Sequence, residues 1–333
     1  MTAGLQDKVA ELTRSAMTAL RTGDLDGAIA CFRQARRLAP DQPGLLAALA
    51  RLLRQAGHWA EAWSAAETGL RLQPDDPALN DERLASLGLG GLTDMALALA
   101  RAWAESCPAE PLARFRLGAL LLQTGDAAGA LSELAAALDL RPDWPEALVA
   151  AAEAAYRTGA IDRAREWLDR AVALEPENRS VRMARATMLL SLGIWEPGLE
   201  DYEYRLKPGA AQQIIRNLPV PRWNGEDISG RAILVVAEQG IGDQVRFLRD
   251  LQDLGRLAGR MIVECSARLV PLFARSLPGT TVIGSLERQE GSRHIFDYTS
   301  LSGHEPVDCY IEAGSVMLLL HRHGLAPDRR PSP

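Results

Sequence analysis

The sequence predicts a stack of helical hairpins over its first two-thirds, followed by a smaller α/β domain built on a parallel sheet. Three observations carry this. Gly23, Gly57, Gly91, Gly125, Gly159 and Gly193 recur every 34 residues, and Pro40, Pro74, Pro108, Pro142 and Pro176 recur in step with them. After Gly193 the rhythm stops, and an unbroken apolar run, Ala232 to Ala237, has the length and composition of a strand covered on both faces.

Within each period a glycine suits the left-handed turn that closes one helix, and a proline stops the next helix before the following repeat. A small residue stands five places after each glycine: Ala28, Ala62, Ala96, Ala130, Ala164 and Gly198. It allows two helices to pack closely. A second column, Ala35, Gly69, Trp103, Ala137 and Ala171, is broken at Trp103.

Helix, glycine turn, helix and proline at this period resemble the tetratricopeptide repeat. Repeats fall near 9–42, 43–76, 77–110, 111–144, 145–178 and 179–206, so residues 1–206 form the repeat domain. The resemblance implies a superhelix whose wall of first helices docks a protein partner or acceptor. By register the groove candidates are Arg51, Arg54, Gln123, Glu153, Tyr156 and Arg157, with Phe115 and Leu122 as apolar patches among them. The alternative for each is an ordinary solvated position. The sixth position of the repeat reads Arg14, Ala48, Glu82, Arg116, Ala150 and Ala184, without the asparagine ladder by which protein O-GlcNAc transferases grip a peptide.

The sixth repeat changes texture. Its second helix runs from Trp195 to Arg205 with aromatic residues where alanine is usual, which reads as a capping helix. Residues 207–227 read as a linker, because Pro219, Pro221 and the Asn224-Gly225 pair mark loop and turn. The second domain is expected over 228–333.

In that domain the strand Ala232–Ala237 is followed by Glu238-Gln-Gly-Ile-Gly-Asp243 and a helix carrying Val245, Leu248, Leu251 and Leu254. A second strand is expected at Met261–Val263, then a helix with Leu269, Phe273 and Leu277 on one face, then a third strand at Thr281–Ile283. Alternating strands and helices imply a parallel sheet with right-handed crossovers, and ligands of such sheets bind at the carboxyl ends of the strands.

The Gly240–Asp243 loop lies at such an end. Its glycines let the backbone approach a ligand, and the helix after it offers free N–H groups. Val245 replaces the third glycine of a dinucleotide fingerprint and no Gly-Lys-Ser/Thr follows, so hydride transfer and ATP hydrolysis are not indicated. Asp243 suits either a general base or a helix N-cap. Glu238 and Gln239 suit either ligand contacts or hydrogen bonds that hold the loop.

Trp195 with Tyr202-Glu-Tyr-Arg205, then Pro221-Arg-Trp-Asn-Gly-Glu226, then Leu234 to Asp243, resemble bacterial tetratricopeptide proteins fused to a GT-B glycosyltransferase domain similar to the ADP-heptose heptosyltransferases. The resemblance implies a Rossmann-like N-terminal lobe that positions an acceptor hydroxyl, with Asp243 as base and Glu238, Gln239, Gly240, Gly242, Gly314 and Ser315 around the substrate. Asp308 to Ser315 resembles the end of that lobe, with Val316-Met317 in place of Leu-Pro. A GT-B enzyme needs a second lobe for its nucleotide-sugar donor. The residues from 228 to 333 fit one lobe, so this chain is expected to be inactive alone. The alternative is a non-catalytic interaction scaffold.

Composition narrows the classes. Hydrophobic residues make up 47% of the 333 residues and charged residues 24%, which is globular. The balance of 37 basic and 43 acidic residues gives a net charge of −6 with no basic tail, so no nucleic-acid partner is expected. The N-terminus lacks a signal-peptide pattern and no run suffices for a membrane span, so a cytoplasmic protein is expected. Cys31, Cys107, Cys265 and Cys309 are far apart, and His294, His304, His321 and His323 do not form a metal set. Ser300, Ser302 and Ser315 lack a Gly-x-Ser-x-Gly context. No cofactor is expected beyond the nucleotide sugar that a second lobe would bring.

Overall fold

The structure, a computed structural model, describes residues 3–207, 213–216, 218, 220–238, 240–285, 287–290, 293–296, 298 and 306–324. The chain divides into two units, Met1–Pro176 and Glu177–Pro333.

The first unit is a run of helical hairpins: α1 (Ala3–Arg21) with α2 (Leu25–Leu38), α3 (Pro43–Gln55) with α4 (Trp59–Leu70), α5 (Pro77–Leu89) with α6 (Thr93–Ser106), α7 (Pro111–Thr124) with α8 (Ala127–Leu140), and α9 (Pro145–Arg157) with α10 (Ile161–Leu174). Each periodic glycine sits at the turn between the helices of a hairpin, and all six have positive φ, from +73° at Gly193 to +93° at Gly125. Side chains rarely adopt that conformation, which fixes glycine at the position. The periodic prolines follow the second helices, Pro108 two residues after Ser106 and Pro142 two after Leu140.

Ala28, Ala62, Ala96, Ala130 and Ala164 are all fully buried. The second column is equally internal. A methyl group on Gly69 would lie 2.6 Å from Leu79 Cδ1, whereas at Trp103 the indole itself fills the interior at 3% exposure. A further periodic signal lies in Pro43, Pro77, Pro111 and Pro145, each the first residue of a hairpin's first helix. Proline is preset for that position because its missing N–H would have no intrahelical partner there.

The second unit begins with one more hairpin, α11 (Arg179–Ser191) and α12 (Trp195–Tyr202), and a 3-10 turn over Glu203–Leu206. Buried Asp201 clamps this hairpin, accepting from Arg182 Nη1 at 2.7 Å and from Arg185 Nε at 2.5 Å.

Beyond it lie β1 (Gln213–Arg216), β2 (Ala232–Val236), α13 (Ile241–Gly255), β3 (Arg260–Cys265), α14 (Val270–Ser276), β4 (Thr281–Gly284), β5 (Glu287–Glu290), β6 (Arg293–Phe296), β7 (Cys309–Glu312) and α15 (Val316–Arg322). Four strands form a parallel sheet in the order β4-β3-β2-β7, with Ile233 beside both Met261 and Cys309. The other three form a small sheet in the order β1-β6-β5.

Every residue of β2 is buried, as expected of a central strand covered on both faces. The covers differ. Ile233 and Val235 pack with Phe247, Leu251, Phe273 and Leu319 of α13, α14 and α15, while Leu234 and Val236 pack with Leu218, Tyr298 and Val307. Among the described residues, therefore, helices cover one face of the sheet and non-helical chain covers the other. The connector also joins the sheet: Trp223 N donates to Tyr310 O at 2.7 Å, and the Trp223 ring is 1% exposed.

Along α13 the inward stripe is Phe247, Leu251 and Leu254, while Val245 is 42% exposed.

Candidate functional site

Two surfaces follow from this framework, one in each unit. In the first, ion pairs tie the first helices of neighbouring hairpins together. Arg54 Nε on α3 donates to buried Glu82 on α5 at 2.7 Å. Arg116 on α7 reaches back to Asp81 on α5, its Nη2 donating to Oδ2 at 2.8 Å. Arg157 on α9 donates to the Leu122 carbonyl on α7 at 2.8 Å and lies 3.6 Å from Glu153. Burial works against the Arg54 charge, but its bond to Glu82 is the larger effect and raises its pKa.

Of the groove residues expected from register, Arg51, Gln123, Glu153, Tyr156 and Arg157 are exposed on α3, α7 and α9, while Arg54 is half-buried and paired with buried Glu82. Phe115 is half-buried and packs on Trp144 at 4.6 Å between ring centroids. Leu122 is buried rather than part of an open apolar patch, because it belongs to the inward stripe of α7 with Leu117 and Leu121.

In the second unit the expected substrate loop lies at the carboxyl end of β2, and Arg205 dominates it. This guanidinium, only 9% exposed, donates from Nε to Glu238 Oε1 at 2.6 Å and from Nη2 to Glu238 Oε2 at 3.1 Å. It also donates to Glu203 Oε1 at 2.8 Å, to the Tyr202 carbonyl at 3.0 Å and to Ser315 Oγ at 2.7 Å. The Gly314 N–H donates to Glu238, and Ser315 donates to Glu203 at 2.6 Å. Arg222 extends the network to Glu312 at 2.7 Å and Glu203 at 2.9 Å.

Burial raises the Glu203 pKa, but the charges of Arg205 and Arg222 and the hydrogen bonds from Ser315 and Arg205 together outweigh it, so the net shift is downward. Burial is the largest single influence on Arg205 and lowers its pKa, but the charges and hydrogen bonds of Glu238 and Glu203 together outweigh it and raise it.

This network accounts for three of the expected contacts. Glu238 forms hydrogen bonds that hold the loop, one of the two roles open to it. Ser315 is fully buried, and a methyl group on Gly314 would lie 2.3 Å from Glu238 Oε2. Gln239 lies outside the described residues. Gly240 has a φ of +75° and is itself the N-cap of α13, so Asp243 is not the cap and stands in the first helical turn. Asp243 is half-exposed and has no hydrogen-bond partner among the described residues. Nothing lies within 4 Å of where a Gly242 side chain would begin.

Beside this lies a second buried group. Arg216 donates to Glu264 at 2.7 Å, to the Tyr298 hydroxyl and to the Ala237 carbonyl, while the Ala237 N–H donates to Glu264 at 3.0 Å. It ties the small sheet to the carboxyl ends of β2 and β3.

Sequence reasoning singled out neither Glu203, Arg222 and Glu312 nor Arg216 and Glu264. The stretches Tyr202-Glu-Tyr-Arg205 and Pro221-Arg-Trp held part of the signal, as charged residues among aromatic and proline positions. Their partners lie up to 112 residues away in sequence. No group of His, Cys, Asp and Glu among the described residues has the arrangement of a metal site, and none of their helices is long and apolar enough to cross a membrane.

Residues 19–81 and 121–188 match the tetratricopeptide repeat family. Protein FlbA of Caulobacter vibrioides is 29% identical over 269 residues, which is 79% of this chain and 45% of FlbA. The chain thus spans less than half the length of this curated relative. Pseudomonas aeruginosa PilF shares the fold at 16% identity and a TM-score of 0.50, over 62% of this chain and 95% of that one. A tetratricopeptide repeat protein from Parabacteroides merdae is similar at 18% identity and a TM-score of 0.48, over 62% of this chain and 82% of the other.

Proposed function

We propose that this tetratricopeptide repeat chain is a docking module that binds a protein segment along the first helices of its hairpins. The observation that carries the reading is the division of labour on that wall. Arg54, Glu82, Asp81 and Arg116 are occupied in holding neighbouring helices, while Arg51 and Gln123 are exposed on two of those helices, α3 and α7, and Glu153 and Tyr156 are exposed on α9. A rigid wall with projecting polar and aromatic groups suits recognition of a peptide.

A photo-crosslinking amino acid at Tyr156 or Gln123 should capture a partner in cells. The same probe at Arg165, exposed on α10, should not. Equal capture from both faces would overturn the reading.

A second reading keeps Asp243 as general base of a glycosyltransferase-like lobe. It is favoured by one observation, a half-exposed carboxylate without a described partner at the carboxyl end of β2. Its test is sugar transfer by the chain, alone or with a donor-binding lobe supplied, from a panel of nucleotide sugars. Turnover lost by orders of magnitude in Asp243→Asn supports it. Turnover unaffected by that substitution sinks it.

A further inference from the structure

An open groove of about 680 Å³ lies between α1 and α3, at the start of the first unit. Buried Val9, Phe32 and Leu45 with half-buried Ala48 form its apolar lining, and exposed Arg14 and Arg51 border it. Neither arginine forms an ion pair with a described carboxylate. Among the described residues Arg14 donates only to the Ala10 carbonyl, at 3.4 Å, and the neighbouring Glu11 accepts from Lys8 at 2.9 Å.

Farther along the same wall the arginines are neutralised, Arg54 by Glu82, Arg116 by Asp81 and Arg157 by Glu153. Among the described residues of the first unit's first helices, the cations without an ion pair are therefore local to the first two hairpins, and Arg14 and Arg51 flank an apolar surface. An apolar body with one carboxylate would satisfy a single arginine. An occupant that serves both needs acidic groups on either side of its apolar ones.

We propose that this groove docks an acidic peptide segment of the partner, with apolar side chains against Phe32, Leu45 and Ala48 and carboxylates on Arg14 and Arg51. The proposal rests on the reading of the repeats as a docking module and names the chemistry of what they dock. Apolar contact supplies the affinity, and the two charge pairs select against neutral and basic segments.

The test uses the whole chain and fluorescence anisotropy with a short labelled peptide of alternating leucines and glutamates. Its glutamine and lysine counterparts and dodecanoate serve as competitors. The glutamate peptide should bind at least about tenfold more tightly than the glutamine one. The Arg14→Glu/Arg51→Glu double variant should reverse the preference towards the lysine peptide, and Ala48→Trp should block binding by filling the groove.

Equal binding of the glutamate and glutamine peptides overturns the proposal, as does a preference that survives charge reversal. Displacement by dodecanoate at the peptide's own concentration overturns the assignment to a peptide. If the double variant fails to fold, the comparison of peptides on the unaltered chain decides. Should no acidic peptide bind while Tyr156 still crosslinks a partner, this proposal fails and the docking function stands.

Discussion

Arg205, on the turn that ends the last hairpin, holds both carboxylate oxygens of Glu238 at the carboxyl end of β2, at 2.6 and 3.1 Å. This bidentate pair joins the sixth repeat to the sheet domain within one unit. Arg205→Ala would leave Glu238, Glu203 and buried Ser315 facing a cavity, at a cost of about 3–5 kcal/mol. Arg205→Lys keeps the charge but loses the two-pronged geometry and should recover only part of it. Urea unfolding followed by Trp223 fluorescence checks this, and a midpoint unmoved by Arg205→Ala would contradict it.

The same network sets an acid limit. The Glu203 pKa is depressed in the folded state, so its contribution is complete above the unfolded glutamate value of about 4.3. That contribution is lost as pH falls through the lower, folded value. Unfolding of the second unit should therefore sharpen below about pH 4. Glu203→Gln should flatten this part of the stability–pH curve.

Thiol reactivity should divide the cysteines into two pairs. Cys265 and Cys309 are fully buried, and burial, with the Glu264 charge, pushes the Cys265 pKa up to about 11. Cys31 and Cys107 are half-buried. A disulfide reagent at pH 8 should modify Cys31 and Cys107 first and reach the other two only after unfolding. Rapid labelling of Cys265 in the native protein would refute this burial.

The turn glycines give a control with little packing in it. Gly125 has a φ of +93° and nothing within 4 Å of an added methyl group, so Gly125→Ala should cost about 1–2 kcal/mol from backbone strain alone. Gly4 is helical with equally open surroundings, and Gly4→Ala should stabilise slightly. Thermal melts of the two variants should move in opposite directions.

The sequence by itself determined the repeat unit. A 34-residue period of glycine, small residue and proline is a local code, because each acts on the backbone or helix spacing within its own hairpin. The positive φ at Gly23 through Gly193 and the buried alanines follow from it. The strands β2, β3 and β4 and the helices between them were legible for the same reason, as apolar runs punctuated by turns. Only the tertiary structure decided what the charged residues do. Glu238, Gly314 and Ser315 stood out only as residues around a glycine loop; in the fold Arg205 from the preceding hairpin bonds Glu238 and Ser315, and Glu238 in turn accepts from the Gly314 N–H. Arg54 stood out only by its register on the wall, and the fold shows that it pairs with buried Glu82 on the next hairpin. A charge's role depends on which opposite charge the fold brings within about 3 Å, and that distance is set by chain topology rather than by spacing along the sequence.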